Sequence, residues 1–113
     1  MKLLIIFDKN IEISPEKICV HTGHSSRHIT YELMDDYNNI DYKKWKENNF
    51  KTVLLRDKIT DKINNFMKDT VFYNYQIYDA GLDGVFEPGT ILGYAILIPK
   101  DNETFKKLRT LKI

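Results

Sequence analysis

Four side chains that can do acid–base or electrostatic chemistry recur at helical spacing early in the chain. Lys17, His21, His24 and His28 are separated by four, three and four residues, so a helix would project all of them from one stripe. The stripe holds every histidine of the protein. A lysine in a first helical turn stands beside free backbone N–H groups, and together they suit a phosphate, a carboxylate or a developing oxyanion.

Three interpretations of this stripe are open. A metal site built from the three histidines is conceivable, but residues seven positions apart lie two turns apart and would strain the coordination of a single ion. A polar stripe beside a core stripe is also what an amphipathic helix has without any function. The third interpretation is the edge of a catalytic or substrate-binding site.

A long loop is the second candidate stretch, and it reads DAGLDGVFEPGT over residues 79–90. It lies between two apolar runs and holds three of the five glycines. A two-residue link would suffice for a plain hairpin, so this length indicates either disorder or a function. Asp79 stands where one strand ends and Thr90 where the next begins, so a rigid sheet would fix both side chains. An ordinary acidic turn is the alternative.

The elements that must position these residues can be read along the chain. The apolar run 3–7 predicts a buried strand, and Ser14 followed by Pro15 predicts the start of a helix that runs to about residue 34. Further patterns predict a short helix beginning near Asp41, a strand at 50–55, a helix from Asp57 or Thr60 to about 67, strands at 71–78 and 91–98, and a terminal helix from Asp101 or Asn102 through Leu108.

This order, β-α-α-β-α-β-β-α, mixes parallel crossovers with one antiparallel pair. It predicts an α/β protein with a four-stranded mixed sheet and helices on both faces, a three-layer α/β/α arrangement. The length of 113 residues predicts a single domain over residues 1–113.

Composition excludes several classes of protein. With 17 Lys and Arg against 16 Asp and Glu the net charge is +1, so any contact with nucleic acid needs a local basic patch. The single Cys19 excludes an internal disulfide and a cysteine-rich zinc site, and it fits a reducing compartment. The apolar N-terminal run is too short for a signal peptide or a membrane span. We therefore expect a cytoplasmic protein.

Two separated motifs carry a resemblance to a known family. Residues 16–25 read EKICVHTGHS, where the family pattern is Gly-Lys-x-Ala-x-Gln-x-x-His-Ala, so Lys17 and His24 match. Residues 79–81 read DAG and residues 88–90 read PGT, which is the second family signature. Over nearly its whole length, the chain resembles the archaeal and eukaryotic class of peptidyl-tRNA hydrolases, a family unrelated in fold to the common bacterial enzyme.

The chain departs from the family pattern at several positions. Glu16 replaces a glycine and places a negative charge beside Lys17, Cys19 replaces an alanine, and His21 stands where the family usually has glutamine. The loop is one residue longer than usual, with Asp83 and Gly84 where a threonine is common. These changes bear on substrate preference and, to a lesser degree, on activity.

The resemblance implies hydrolysis of the ester that joins a peptide to the 3′ end of tRNA, without a cofactor. Asp79, with Thr90, would orient or activate the attacking water. Lys17 would stabilise an oxyanion or hold a terminal phosphate, and His24 would hydrogen-bond within the site or to the substrate. Four further substrate contacts are expected at His21, Ser25, Gly81 and Gly89. If this site exists, Lys17 and Asp79 must meet in space.

The resemblance also implies a homodimer and a tRNA partner. A local basic patch for tRNA is expected from Lys43 and Lys44, together with Lys46 and Lys51. Two other functional classes stay open. One is a non-catalytic or altered-substrate tRNA- or ligand-binding protein on the same scaffold. The other is a small metal-dependent hydrolase built on the histidine stripe.

Overall fold

The computed structural model of the protein describes residues 1–35, 39–82 and 84–111. Within these residues the elements are β1 (Lys2–Asp8), α1 (Pro15–Met34), α2 (Ile40–Glu47), β2 (Thr52–Asp57), α3 (Asp61–Asp69), β3 (Asn74–Asp79) and β4 (Thr90–Ile98). None of the described helices combines the length and apolar character that crossing a bilayer requires.

The four strands form one mixed sheet in the order β2-β1-β4-β3. β1 pairs with β2 in parallel and with β4 antiparallel, and β3 pairs antiparallel with β4. The predicted α/β class with a four-stranded mixed sheet is therefore confirmed. Asp79 and Thr90 are directly opposite each other at the end of the β3–β4 pair, so the sheet brings both ends of the long loop together.

Helix α1 begins and ends where the sequence predicts. The Ser14 hydroxyl accepts a hydrogen bond from the Lys17 backbone N–H, and Pro15 occupies the first helical position. Its buried positions are Ile18, His21, Ser25, Ile29 and Leu33. Because His21 is among them, the histidine stripe reaches into the core face instead of only bordering it.

Two hydrophobic clusters use alternate residues of β1. Leu3, Ile5 and Phe7 pack with apolar residues of α1 and with Trp45 of α2. Leu4 and Ile6 pack in the second cluster, with Ile63 and Met67 of α3. Alternate residues of a strand point to opposite faces of a sheet. This distribution agrees with the predicted helices on both faces, although the three-layer arrangement itself stays a prediction.

The predicted terminal helix at 101–108 is wrong. This segment makes turns closed by short-range bonds, such as Lys106 N–H to the Glu103 carbonyl, and Thr104 N–H is held by the side chain of Asn102. The chain then bridges the free side of β2 through Leu55 and Thr110. Pairing with an open strand edge and burial of Phe105 in the second cluster outweigh the local helical pattern.

Three predicted boundaries also shift. β2 begins at Thr52 and β3 at Asn74, later than residues 50 and 71, and the N-cap of α2 is Asn39 in place of Asp41. Of the two caps proposed for α3, Thr60 is the one used. The departure from the family pattern at Asp83 lies outside the described residues.

Candidate active site

The long loop is clamped onto itself at Gly81. This glycine has a positive φ of 75°, and a Cβ atom added to it would lie 2.8 Å from Pro88 Cγ and 2.9 Å from Pro88 N. The Gly89 N–H also donates to the Asp79 carbonyl at 2.7 Å. The two halves of the loop motif therefore touch, and only a residue without a side chain fits at position 81.

Asp79 is the centre of the site, and three donors hold its carboxylate. Lys17 Nζ donates to Oδ2 at 3.0 Å, and the Gly81 N–H donates to Oδ1 at 2.8 Å. His21 Nε2 lies 3.3 Å from Oδ2. An ionised carboxylate can only accept, so this geometry assigns the hydrogen to Nε2. The predicted meeting of Lys17 with Asp79 is confirmed.

These contacts set the ionisation of Asp79. The Lys17 hydrogen bond is the largest influence and lowers the pKa of the Asp79 carboxyl, and the Gly81 N–H acts in the same direction. Burial opposes them, and His21 adds a smaller lowering. The side chain of Asp79 is 6% exposed, so the charge is held in a site with little water around it. Asp79 is therefore an ionised anchor at neutral pH and a weak proton acceptor.

Lys17 is bound on several sides and still reaches the surface. Its ammonium lies 5.5 Å from the centre of the Phe86 ring, a cation–π contact. Its side chain remains 17% exposed. A cation in the first turn of a helix is opposed by the helix dipole, and the carboxylate of Asp79 offsets this repulsion.

A groove of about 280 Å³ opens over this ion pair. Its polar wall includes His24, which is exposed and contacts the His21 ring edge-on at 5.8 Å between centroids. Its apolar wall includes Val20 and Leu82, whose exposed fractions are 53% and 94%. The arrangement suits a molecule with an oxyanion or carbonyl at one end and an apolar group at the other.

Three other predicted residues lie near the site without facing the groove. Thr90 is opposite Asp79 in the sheet, but its hydroxyl donates to the Glu87 carbonyl at 2.7 Å. Gly89 has a positive φ of 80° and serves the loop backbone. Ser25 is 0% exposed and donates to the His21 carbonyl at 2.6 Å. In this conformation Ser25 supports the helix, and its predicted contact with substrate would require it to become exposed.

The predicted tRNA lysines are not brought to this groove. Lys43 and Lys44 are both exposed on α2, and Lys44 lines another depression with Met1 and Pro99. β4 runs from beside Asp79 to that second region, and a strand of its nine residues spans roughly 30 Å. The lysines and the Lys17–Asp79 pair therefore lie at opposite ends of the sheet.

The histidine stripe is divided between different partners. His28 stacks on Tyr75 with 4.2 Å between ring centroids and pairs with Glu32 at 3.4 Å, whereas His21 contacts Asp79. In the part of the chain that the structure describes, no group of three or more His, Cys, Asp or Glu residues is arranged to hold a metal ion.

Sequence reasoning missed the apolar wall and the ring beneath the lysine. Val20 lies three residues after Lys17 and four residues before His24, so it shares their face of the helix. From the sequence alone, however, it is indistinguishable from any exposed aliphatic residue. Leu82 and Phe86 sit inside the singled-out loop, where loop conformation cannot be derived from composition. One feature of the loop conformation could have been predicted, because the Pro88-Gly89 pair is typical of a tight turn.

In comparisons with known proteins, no protein-family model matches this chain, and no curated protein matches it either.

Proposed function

We propose that the protein hydrolyses the ester bond between a peptide and the 3′ end of tRNA, releasing free tRNA from aborted translation. The observation that carries this proposal is the part-buried Lys17–Asp79 ion pair at 3.0 Å under an open, largely apolar groove. The two residues come from separate motifs, and both match the pattern that the chain resembles. The homodimer, the tRNA partner and the cytoplasmic location stay predictions.

The proposed chemistry needs a water, a proton acceptor and a donor for the oxyanion. Water adds its oxygen to the ester carbonyl carbon, the bond between that carbon and the ribose oxygen breaks, and the departing ribose oxygen accepts the proton that the water gives up. In this scheme the Lys17 ammonium donates to the carbonyl oxygen as negative charge develops there. Asp79 orients Lys17 and the water, since its lowered pKa makes it a poor base.

The groove supports a substrate of this kind. Val20 and Leu82 would contact the apolar part of the peptide, while His24 stands at the polar wall within reach of a ribose or phosphate oxygen. The altered-substrate alternative is favoured by one specific observation: three donors hold the carboxylate of Asp79, and one of them is a histidine where the family has glutamine. A site in which three donors already hold Asp79 could bind a ligand without hydrolysing it.

The test is an assay of purified protein with N-acetylaminoacyl-tRNA, measured by release of the acyl group, with and without a chelator. Cleavage that the chelator leaves unchanged is expected. Binding of the tRNA without cleavage would favour the binding protein. Activity lost with chelator and restored by a divalent metal would move the chemistry to a metal-dependent hydrolase.

A further inference from the structure

His21 and Lys17 share a single oxygen of Asp79. Lys17 Nζ lies 3.0 Å from Oδ2 and His21 Nε2 lies 3.3 Å from the same atom. The other oxygen, Oδ1, is held separately by the Gly81 N–H at 2.8 Å. One carboxylate oxygen has lone pairs for both donors, so each of them can stay when the other leaves.

The two donors differ in freedom of movement. Lys17 is a long side chain that is 17% exposed at the groove, and it can turn toward a ligand there. His21 is 8% exposed on the core face of α1, with its ring against His24. An imidazole at a buried helical position has few alternative rotamers, so His21 is the donor that remains in place.

In the proposed cycle the Lys17 ammonium turns from Oδ2 toward the carbonyl oxygen of the substrate. When the ammonium turns to the developing oxyanion, Oδ2 loses a charged partner while the Asp79 side chain is only 6% exposed, and an uncompensated buried carboxylate is costly. We propose that His21 is a positioning residue that keeps Asp79 satisfied while Lys17 turns to the substrate. This inference rests on the proposed function. It gives His21, which stands where the family usually has glutamine, a role beyond contact with the substrate.

The kinetic test compares two substitutions of His21. In H21L the carboxylate retains Lys17 as its partner at Oδ2, and we expect kcat to fall roughly 10- to 100-fold, the range that one hydrogen bond to a charged group contributes, with little change in KM. H21Q keeps an N–H donor and should restore most of the loss. H28L makes the same change on the same helix without touching Asp79, and it should leave the rate unchanged.

A second measurement does not depend on cleavage. Acetylation of each lysine by an N-hydroxysuccinimide ester, followed by mass spectrometry, reports how available the Lys17 amine is, with exposed Lys62 as internal reference. Lys17 should react more slowly in H21L than in the unmutated protein or H21Q, because the amine is held more tightly as an ammonium. If H21L fails to unfold cooperatively, H21N replaces it, since its shorter amide does not span the distance to Oδ2.

The outcomes separate this inference from the proposed function. If the unmutated protein cleaves no peptidyl-tRNA but H21L slows acetylation of Lys17 selectively, the proposed function fails and the positioning of Lys17 by His21 stands. If Lys17 reacts equally fast in H21L and the unmutated protein, or if H21L and H21Q lose equal activity, the positioning role is overturned.

Discussion

At the scale of single residues, the chemistry of the site depends on how firmly Asp79 is held. A carboxylate with three donors is an unusually poor base, since each donor stabilises the ionised form. Its role is geometric: before a substrate binds, it holds the Lys17 ammonium at the floor of the groove. In the proposed hydrolysis Asp79 and Lys17 would act as a unit, so their contributions to the rate would not be separable.

Replacing either member of this unit should remove most of the activity. K17A and D79N are each expected to lower kcat/KM for peptidyl-tRNA cleavage by at least ~100-fold, the contribution of one positioned charge or proton acceptor. The double variant should be little worse than either single variant. K62A, at an exposed lysine of α3, serves as control. Robust cleavage by both single variants would show that the protein is a hydrolase whose chemistry lies at other residues.

The ionisation of Asp79 also predicts how stability depends on pH. Because its pKa is lowered in the folded protein, the unfolded chain binds more protons between the two values. The stabilisation is complete above the ordinary aspartate pKa of about 3.9 and is lost as the pH falls through the lower, folded value. At pH 7, D79N should thus unfold at a lower urea concentration than the unmutated protein. This difference between their urea midpoints should narrow below pH 4. If the difference between the urea midpoints widened in acid, folding would not lower the pKa of Asp79.

At the scale of elements, the loop between β3 and β4 depends on the contact between Gly81 and Pro88. Gly84 provides a matched comparison, because its φ of 74° is close to the 75° of Gly81 but a Cβ atom there would meet nothing within 4 Å. Both G81A and G84A carry the cost of a positive φ, roughly 1 kcal/mol. G81A adds a clash with Pro88 and should lower the free energy of unfolding by a further ~1–3 kcal/mol.

Thermal or urea unfolding of the two variants measures this difference. Equal destabilisation by G81A and G84A would mean that the two halves of the loop do not clamp together in solution. Activity gives a second readout, since a displaced Gly81 N–H no longer holds Oδ1 of Asp79. G81A should therefore also lower cleavage more than G84A does.

Elements with strong local signals were predictable from the sequence, and those decided by tertiary contacts were not. Ser14 and Pro15 mark the start of α1 because a cap and a fixed φ act within one turn, and the structure agrees to the residue. The segment after Asp101 has similar local signals. There, however, the backbone of Arg109 is bound by β2 and by the carboxylate of Asp57, contacts that its own sequence does not indicate.

The site was partly predictable for the same reason. The pairing of Lys17 with Asp79 followed from the resemblance, whereas the burial of His21 depended on the exact rotation of α1 against β3. A polar residue on the edge of an apolar stripe can face either way, and a buried acceptor within hydrogen-bonding distance decides the outcome. The helical spacing of α1 could not indicate that acceptor, because Asp79 lies in a distant part of the sequence.

At the scale of the whole molecule, charge and shape determine how a tRNA could be held. The net charge of +1 provides no general attraction, so binding must come from local lysines. The protein measures 41 × 29 × 28 Å, and the α2 lysines lie at the opposite end of the sheet from the groove. We expect the 3′ end of a tRNA to enter the groove while its helical stem lies along the protein toward α2.

This arrangement predicts that K43A/K44A weakens binding without changing the chemical step. KM should rise and kcat should stay the same, and the slope of log K against log salt should fall by about 2, roughly one unit for each lost phosphate contact. K62A/K68A on α3 is the matched control, because both pairs change the net charge from +1 to −1 (+1 − 2 = −1). Fluorescence titrations of tRNA at several salt concentrations measure both variants. Equal loss of affinity and slope in the two variants would mean that total charge, and not the α2 surface, controls binding.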